Sequence, residues 1–274
     1  MDFDYVIVGA GSAGCILADR LTESGSHKVL LVEAGGPDDS FWFKIPVGYA
    51  RSYYNPKVNY MYWSEPEPEL NNRRIYVPRG KVQGGSGSIN AMIYVRGAAA
   101  DFDDWAAAGN PGWGAADVMP WFDKLETRIQ VTPMRGQTHM VTDAFLKGCE
   151  ELQLPASEDF NGGSLEGAGV YAVNTRNGQR SHSSAEYLRP ALNRANLTVE
   201  RHAVTERITF APEGRADGVE VLQHGQRRRF SARAEVIVAA GAVDSPKLLQ
   251  LSGLGDGKAL KDAGIEVRRD LPAV

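Results

Sequence analysis

Cysteine is scarce. The chain has 274 residues and two cysteines, Cys15 and Cys149, which form no C-x-x-C pair. Two thiols cannot build a disulfide framework, so both are expected free, in a reducing compartment. Long apolar runs are missing as well. None approaches the roughly 20 residues that a membrane helix needs. The strand-like run Tyr5–Val8 starts almost at once, and no charged and apolar leader precedes it, so no secretory signal is read here. These absences point to a cytoplasmic protein, with peripheral membrane association left open. Basic charge is also in short supply: 30 Lys and Arg stand against 34 Asp and Glu, a formal net charge of -4. A nucleic-acid partner would ask for a basic face, so none is expected. The short run Arg227–Arg229 reads as the solvated edge of a hairpin. Glycine, by contrast, is plentiful. Its 30 residues, with 14 prolines, gather in a few blocks. At 43% hydrophobic the chain can still bury a sizeable core.

The first glycine block suits a nucleotide. Tyr5–Gly9 reads Y-V-I-V-G, a β-branched apolar run that fits a buried parallel strand. Gly9–Gly14 reads G-A-G-S-A-G, the helical pattern C-I-L-A-D-R-L follows, and a second apolar run, Lys28–Val32, ends in Glu33. Strand, glycine turn, helix and strand make one right-handed βαβ unit. Gly9 permits the tight turn, Gly11 lets backbone approach a pyrophosphate, and Gly14 lets helix pack on strand. A helix starting near Ser12 and Ala13 turns its first N–H groups toward the phosphates. Glu33, followed by Ala34, stands where a carboxylate accepts hydrogen bonds from ribose hydroxyls and repels a 2′-phosphate. The unit suits an ADP moiety and disfavours NADP. It leaves FAD and NAD open.

The second block decides between them. Residues 84–90 read G-G-S-G-S-I-N. Glycines 84, 85 and 87 can fold tightly and present backbone N–H groups to a flat ring or a phosphate. Asn90 can both donate and accept. Through Gly80-Lys81, Gly84-Gly85-Ser86, Ile89-Asn90-Ala91-Met92 and Tyr94, the block resembles the first signature of the glucose–methanol–choline (GMC) oxidoreductases, in their choline dehydrogenase-like branch. The resemblance implies FAD. It also implies that Val82, Gly85, Ser86, Asn90, Ala91, Met92 and Ile93 contact the flavin. Two positions depart from the family pattern or its variants. Gln83 stands where the family has an apolar residue, an exchange that costs about 1–3 kcal/mol if the amide is buried without a partner. Ile89 stands where some members carry the His that tethers FAD, so the cofactor is expected to be non-covalent. Phe102–Phe122 resembles the next family segment, and its Trp105, Trp113 and Trp121 read as core or lid packing.

The second half alternates as strands do over residues 197–210. Gly218–Leu222 and Arg229–Ser231 continue a β-meander, with turns at Glu213-Gly214 and His224-Gly225. Glu235–Ala239 reads as another buried strand. By resemblance, backbone near Val204 or Thr205 meets the adenine edge, with the register open by one residue because Glu206 strains the alignment. Gly241–Gly255 resembles the second family signature at Gly241, Ala242, Ser245, Pro246, Leu248, Leu249, Ser252, Gly253, Leu254 and Gly255. Ser245 is read as a helix N-cap with Pro246 at the first helical position. Ala240 and Gly241 are small enough for backbone to lie near the cofactor. Thr142–Leu152 predicts an amphipathic helix. His182 reads as a hydrogen-bonded loop residue rather than a catalytic base.

Together these readings give an α/β chain. A Rossmann-like FAD-binding domain with a β-meander is expected over 1–128 and 193–274, with the beginning of a substrate-binding α+β domain, a partial cap region, over 129–192. The resemblance implies an FAD-dependent oxidoreductase acting on the CH–OH group of a primary alcohol, whether choline-like, aliphatic or aromatic. Oxygen or a quinone or other carrier would accept the electrons. It also implies that the second half of a typical member lies beyond this sequence, and with it the His and its His or Asn partner that do the proton chemistry. A stretch usual in the family after Glu126 is short here too. No residue is therefore assigned as catalytic, and none to a metal. The competing reading is a non-catalytic FAD-binding fragment or pseudoenzyme. A simple NAD-dependent reductase would leave residues 60–97 and 241–255 unexplained.

Overall fold

Val6, Val8, Leu30 and Val32 belong to one buried cluster, and Ile7, Val29 and Leu31 to another. This split with period two marks strands buried on both faces of a sheet. Strand β1 (Asp2–Val8), helix α1 (Ser12–Thr22) and strand β2 (Val29–Val32) form the expected βαβ unit. The two strands run parallel, from Tyr5↔Val29 to Val8↔Val32. The structure, a computed structural model, describes residues 2–162 and 165–274.

The sheet has six strands, in the order Leu197–Glu200, β2, β1, Gln226–Val238, Ala216–Gln223, Ala203–Phe210. The first four are parallel and the last two pair antiparallel. The expected strands at 229–231 and 235–239 are one continuous strand. Its first part pairs with the meander, from Gln226↔Gln223 to Ser231↔Gly218, and its second with β1, from Glu235↔Tyr5 to Val238↔Val8. The β1 pairing itself begins at Asp2↔Ser231 and is interrupted by a bulge between Phe3 and Tyr5. The meander turns at His224 and Gly225, both at positive φ (50° and 77°), as a two-residue hairpin loop requires.

Two compact units divide the chain: residues 1–90 with 182–274, and residues 91–181. The expected limits placed 91–128 with the first part and 182–192 outside it. Packing explains the shift at 182–192. Leu188 and Ala191, from the helical turns Ser184–Leu188 and Arg189–Ala191, join Cys15 and Ala18 of α1 in the core on one face of the sheet. On the other face Leu248 joins Val6, Val8 and Val32.

Leu248 belongs to the helix Gly241–Leu251, which corrects the expected start at Ser245. Ala240 is the N-cap, and Pro246 sits inside the helix. Gly241, at φ 87°, swings the chain from strand to helix within two residues, a conformation that strains other residues. Pro246 then removes only one helical hydrogen bond near the start.

The second unit holds the helices Ala99–Ala107, Ala115–Glu126 and Met140–Glu151 and a short hairpin of Thr175–Arg176 with Gln179–Arg180. The last helix agrees with the sequence pattern. Glu126 accepts from Tyr94 Oη at 2.5 Å and Arg96 Nε at 2.7 Å. Of the two packing roles expected for the tryptophans, core or lid, the core role is not met. Trp105, Trp113 and Trp121 are 49%, 55% and 66% exposed, while Phe102 is the buried ring of the group. No helix among the described residues is long and apolar enough to cross a membrane.

Candidate functional site

The carboxyl ends of β1, β2 and Gln226–Val238 open into a cavity of about 480 Å³. Clefts at this end of a parallel sheet are where nucleotides bind, and the volume falls in the roughly 300–1,000 Å³ of small-molecule sites. Gly9, Gly11, Ser12 and Ala13 line it from the first turn, and Glu33 and Ala34 from the end of β2. Gly85 and Ser86 come from the second glycine block, Val204 and Thr205 from the edge strand, and Ala240 and Gly241 from the last parallel strand's exit. Those expected site residues are thus brought together.

The glycines divide by what surrounds them. Gly9 stands at φ 99° with Ala239 O 2.5 Å from where a Cβ would lie. A Cβ on Gly14 would lie 1.9 Å from Gly9 O. Gly11 differs: its Cβ position meets only Ala239 O, at 3.9 Å. Gly11 lines the cavity, so the space kept free by its missing side chain is available to a ligand. It also precedes α1, whose start has no side-chain cap, so the first-turn N–H groups are left for a partner. This is a fit to a diphosphate read from the chain itself.

Glu33 holds the turn together. Its Oε2 accepts from Ala10 N–H at 2.9 Å and its Oε1 from Gly35 N–H at 2.8 Å. Each carboxylate oxygen keeps a second lone pair, so ribose hydroxyls can still be accepted. Burial pushes the Glu33 carboxyl up from 4.5 to about 7, against the two backbone hydrogen bonds, which lower it. Between those values the folded chain binds more protons than the unfolded one, so this group makes stability fall as pH rises from about 4.5 to about 7. Glu33→Gln is expected to remove that component. The difference in urea midpoint between wild type and variant, followed across the window, should drift in the variant's favour with rising pH. A difference that stays constant would show that Glu33 titrates as an ordinary carboxylate.

The second glycine block packs backbone on backbone. Gly84 and Gly85 stand at φ 87° and 56°, and Gly84 N–H donates to Ala10 O at 2.7 Å. A Cβ on Gly85 would lie 2.8 Å from Gly11 Cα, and one on Gly80 would lie 2.3 Å from Gly85 carbonyl atoms. Gln83, just before the turn, is 2% exposed. Its amide is fully engaged: Nε2 donates to Asp38 Oδ1 (3.1 Å) and Ser184 Oγ (2.8 Å), and Oε1 accepts from Arg201 Nε (2.8 Å). The polar exchange at this position therefore does not leave an unpaired group. Asp38 also meets His182 Nε2 and Arg189, both at 3.0 Å. Burial raises its pKa, but the His182 hydrogen bond and the Arg189 charge outweigh burial and hold it below the ordinary value. His182 is thus a buried structural partner of Asp38.

Several lining residues escaped the sequence reading. Tyr60 and Arg79 come from the loop before the second glycine block, and Asp244 and Lys247 from the helix Gly241–Leu251. Tyr62 Oη donates to Asp244 Oδ1 at 2.9 Å, Lys247 pairs with the same carboxylate, and Tyr60 stacks on Tyr62 at 5.2 Å. Arg79 donates to Pro78 O, and among the described residues no carboxylate pairs with it. Nothing in the local pattern around Tyr60 or Arg79 says that the loop folds back to the cavity.

Other expected site residues lie elsewhere. Gly14 sits behind the turn. Val82 is wholly buried with Phe43 and Ile89. Asn90 donates its backbone N–H to Ser86 O at 2.9 Å and does not line the cavity. Ala91, Met92 and Ile93 fall in the second unit, where Met92 takes φ 63° and its carbonyl accepts from Asn174 N–H. The edge strand explains the open register near Val204: a bulge between Thr205 and Arg207 makes Glu206 the extra residue.

Residues 3–268 match the profile of the GMC oxidoreductases. An oxygen-dependent choline dehydrogenase of Rhizobium rhizogenes (strain K84 / ATCC BAA-868) is 42% identical, over 100% of this chain and 52% of its own length. The solved pyridoxine 4-oxidase from Mesorbium loti superimposes with a TM-score of 0.87 at 28% identity, over 98% of this chain and 55% of that one. An FAD-dependent oxidoreductase from Chaetomium thermophilum gives 0.86 at 29% identity, over 99% and 51%. The chain spans about half the length of the relatives it matches.

Proposed function

Because the chain belongs to the GMC oxidoreductase family, we propose that its cavity holds FAD without a covalent link and that the complete protein oxidises the CH–OH group of a choline-like primary alcohol, with oxygen as acceptor. The carrying observation is the bare Gly11 wall facing α1 and the cavity. Gly11 and the first turn of α1 admit and hold the diphosphate. Glu33 accepts from the ribose. The edge backbone at Val204 and Thr205 faces the adenine, and Gly85, Ser86, Ala240 and Gly241 close the rest of the cradle. Val82, Asn90, Ala91, Met92 and Ile93 are assigned to the flavin end by resemblance to the family. FAD, when bound, supplies the hydride acceptor. The chain's own part is to bind and orient it, and no residue of this stretch is assigned to the proton transfer. Choline and oxygen enter through the names of the relatives, such as the Rhizobium rhizogenes enzyme.

The half-length match supports a second reading for this stretch taken alone, namely FAD binding without turnover. Titration of the purified chain with FAD, followed by flavin absorbance and fluorescence, tests both. Flavin bands should persist through gel filtration, and dye reduction with choline should be absent for the stretch alone and present for the complete protein. Acid precipitation should leave the flavin in the supernatant, because Ile89 cannot form the tether. A yellow pellet would refute the non-covalent assignment, and a colourless folded chain would refute FAD binding.

A further inference from the structure

Four charged residues line the cavity: Glu33, Arg79, Asp244 and Lys247. Three of them already have partners. Glu33 accepts from Ala10 and Gly35 N–H, and Lys247 is neutralised by Asp244. Arg79 is the exception. Its Nη1 donates to the neighbouring Pro78 carbonyl at 2.9 Å, and among the described residues it pairs with no carboxylate. A guanidinium carries several N–H donors in a planar fork, so most of its bonding capacity is left for a partner.

The backbone that carries this side chain is fixed close to the first turn. Arg79 N–H donates to Asn59 Oδ1 at 3.1 Å, and its carbonyl accepts from Tyr60 N–H at 2.9 Å. Gly80, the next residue, lies against the second glycine block. Its N–H donates to Ser86 Oγ at 3.1 Å, and a Cβ there would lie 2.3 Å from Gly85 carbonyl atoms. Gly85 in turn lies against Gly11, where its own Cβ would come within 2.8 Å of Gly11 Cα. Successive close approaches, Gly80 to Gly85 and Gly85 to Gly11, therefore set Arg79 beside the bare wall of the cavity.

The charge balance asks for a cation there. A diphosphate brings negative charge on both phosphates into a cavity that already holds Glu33. The first turn of α1 answers with only about half a positive charge. An arginine fork matches a phosphate in shape as well as in sign. We propose that Arg79 binds the FAD diphosphate from the side of the second glycine block and is the residue that neutralises it. This rests on the FAD reading of the cavity and adds to it the side chain that recognises the phosphates.

Ligands that share the adenosine and differ in phosphate separate this role from a structural one. The chain freed of flavin is titrated with adenosine, ADP and FAD by isothermal calorimetry, as wild type, Arg79→Gln and Arg79→Lys. Arg79→Gln should bind ADP and FAD about 30-fold more weakly, the size of a lost charge-assisted hydrogen bond, and should bind adenosine as wild type does. Arg79→Lys should recover part of that loss, because an ammonium keeps the charge but not the fork. Thermal melts without ligand should coincide, since the Arg79 side chain holds only the neighbouring carbonyl. The Arg79 assignment is overturned, with the FAD reading intact, if Arg79→Gln binds ADP and FAD as tightly as wild type. It is overturned in the same way if the variant loses adenosine in the same proportion. A wild-type chain that binds neither ADP nor FAD overturns the FAD reading itself, and the assignment with it.

Discussion

Gly11→Ala is expected to leave the chain folded and to weaken its hold on FAD, whereas Gly14→Ala is expected to destabilise the fold. The two glycines stand three residues apart in one turn and look alike in the sequence. At Gly11 the backbone sits at φ -74° and ψ -165°, which alanine adopts freely. The added methyl meets no chain atom closer than 3.9 Å. Stability should therefore change by less than about 1 kcal/mol, and relief of unfolded-chain entropy favours the variant. On the proposed reading of the site, the methyl occupies the place where backbone must approach the pyrophosphate. A loss of about 100-fold in FAD affinity, roughly 2.7 kcal/mol, is expected from the displaced diphosphate. At Gly14 the methyl would lie 1.9 Å from Gly9 O, and a backbone atom is what would have to move. That overpacking should cost about 3 kcal/mol. Thermal melts and fluorescence titration with FAD separate the outcomes. If Gly11→Ala binds FAD as wild type does, the first turn is not the diphosphate site.

Much of this cradle was legible because its parts are local. Gly9, Gly11 and Gly14 stand within one turn, and the apolar runs on either side carry the strand period. The hairpin at His224-Gly225 is equally local. What escaped depends on chain that returns from a distance. Tyr60 and Arg79 reach the cavity only because their loop folds back beside the first turn, and no periodicity reports that. The helix at Gly241 was placed late because Ser245-Pro246 has the form of a helix start. A positive φ at Gly241, set by the strand before it, let the helix begin sooner. The tryptophans of the second unit were read as packing by composition, but composition does not say whether the surface they pack on is present in the same stretch of chain.

Gln83→Leu is the second large effect, and the family pattern would predict its opposite. The family pattern that the sequence resembles has an apolar residue at this position, so the exchange looks like a repair. The structure gives the reverse sign. The Gln83 amide satisfies Asp38, Ser184 and Arg201 at once, from segments 45, 101 and 118 residues away in sequence. Asp38 and Ser184 are buried, at 2% and 0% exposure. Leucine would fill the space but withdraw a donor from a buried carboxylate and an acceptor from a guanidinium. Each buried group so orphaned costs about 1–3 kcal/mol, while the gain from a better apolar contact is smaller. Asp38 keeps His182 and Arg189, which limits the damage. A net loss of about 3 kcal/mol is expected, read as a lower urea midpoint with unchanged slope. Because Gly84 follows directly and bonds Ala10 O, FAD affinity should also fall, by about tenfold. The double variant Gln83→Leu, Arg201→Ala should lose less than the sum of the two singles, since each removes the same bond. If Gln83→Leu instead raises the midpoint, the amide network is not what holds the second glycine block against the first, and the apolar preference of the family applies here after all.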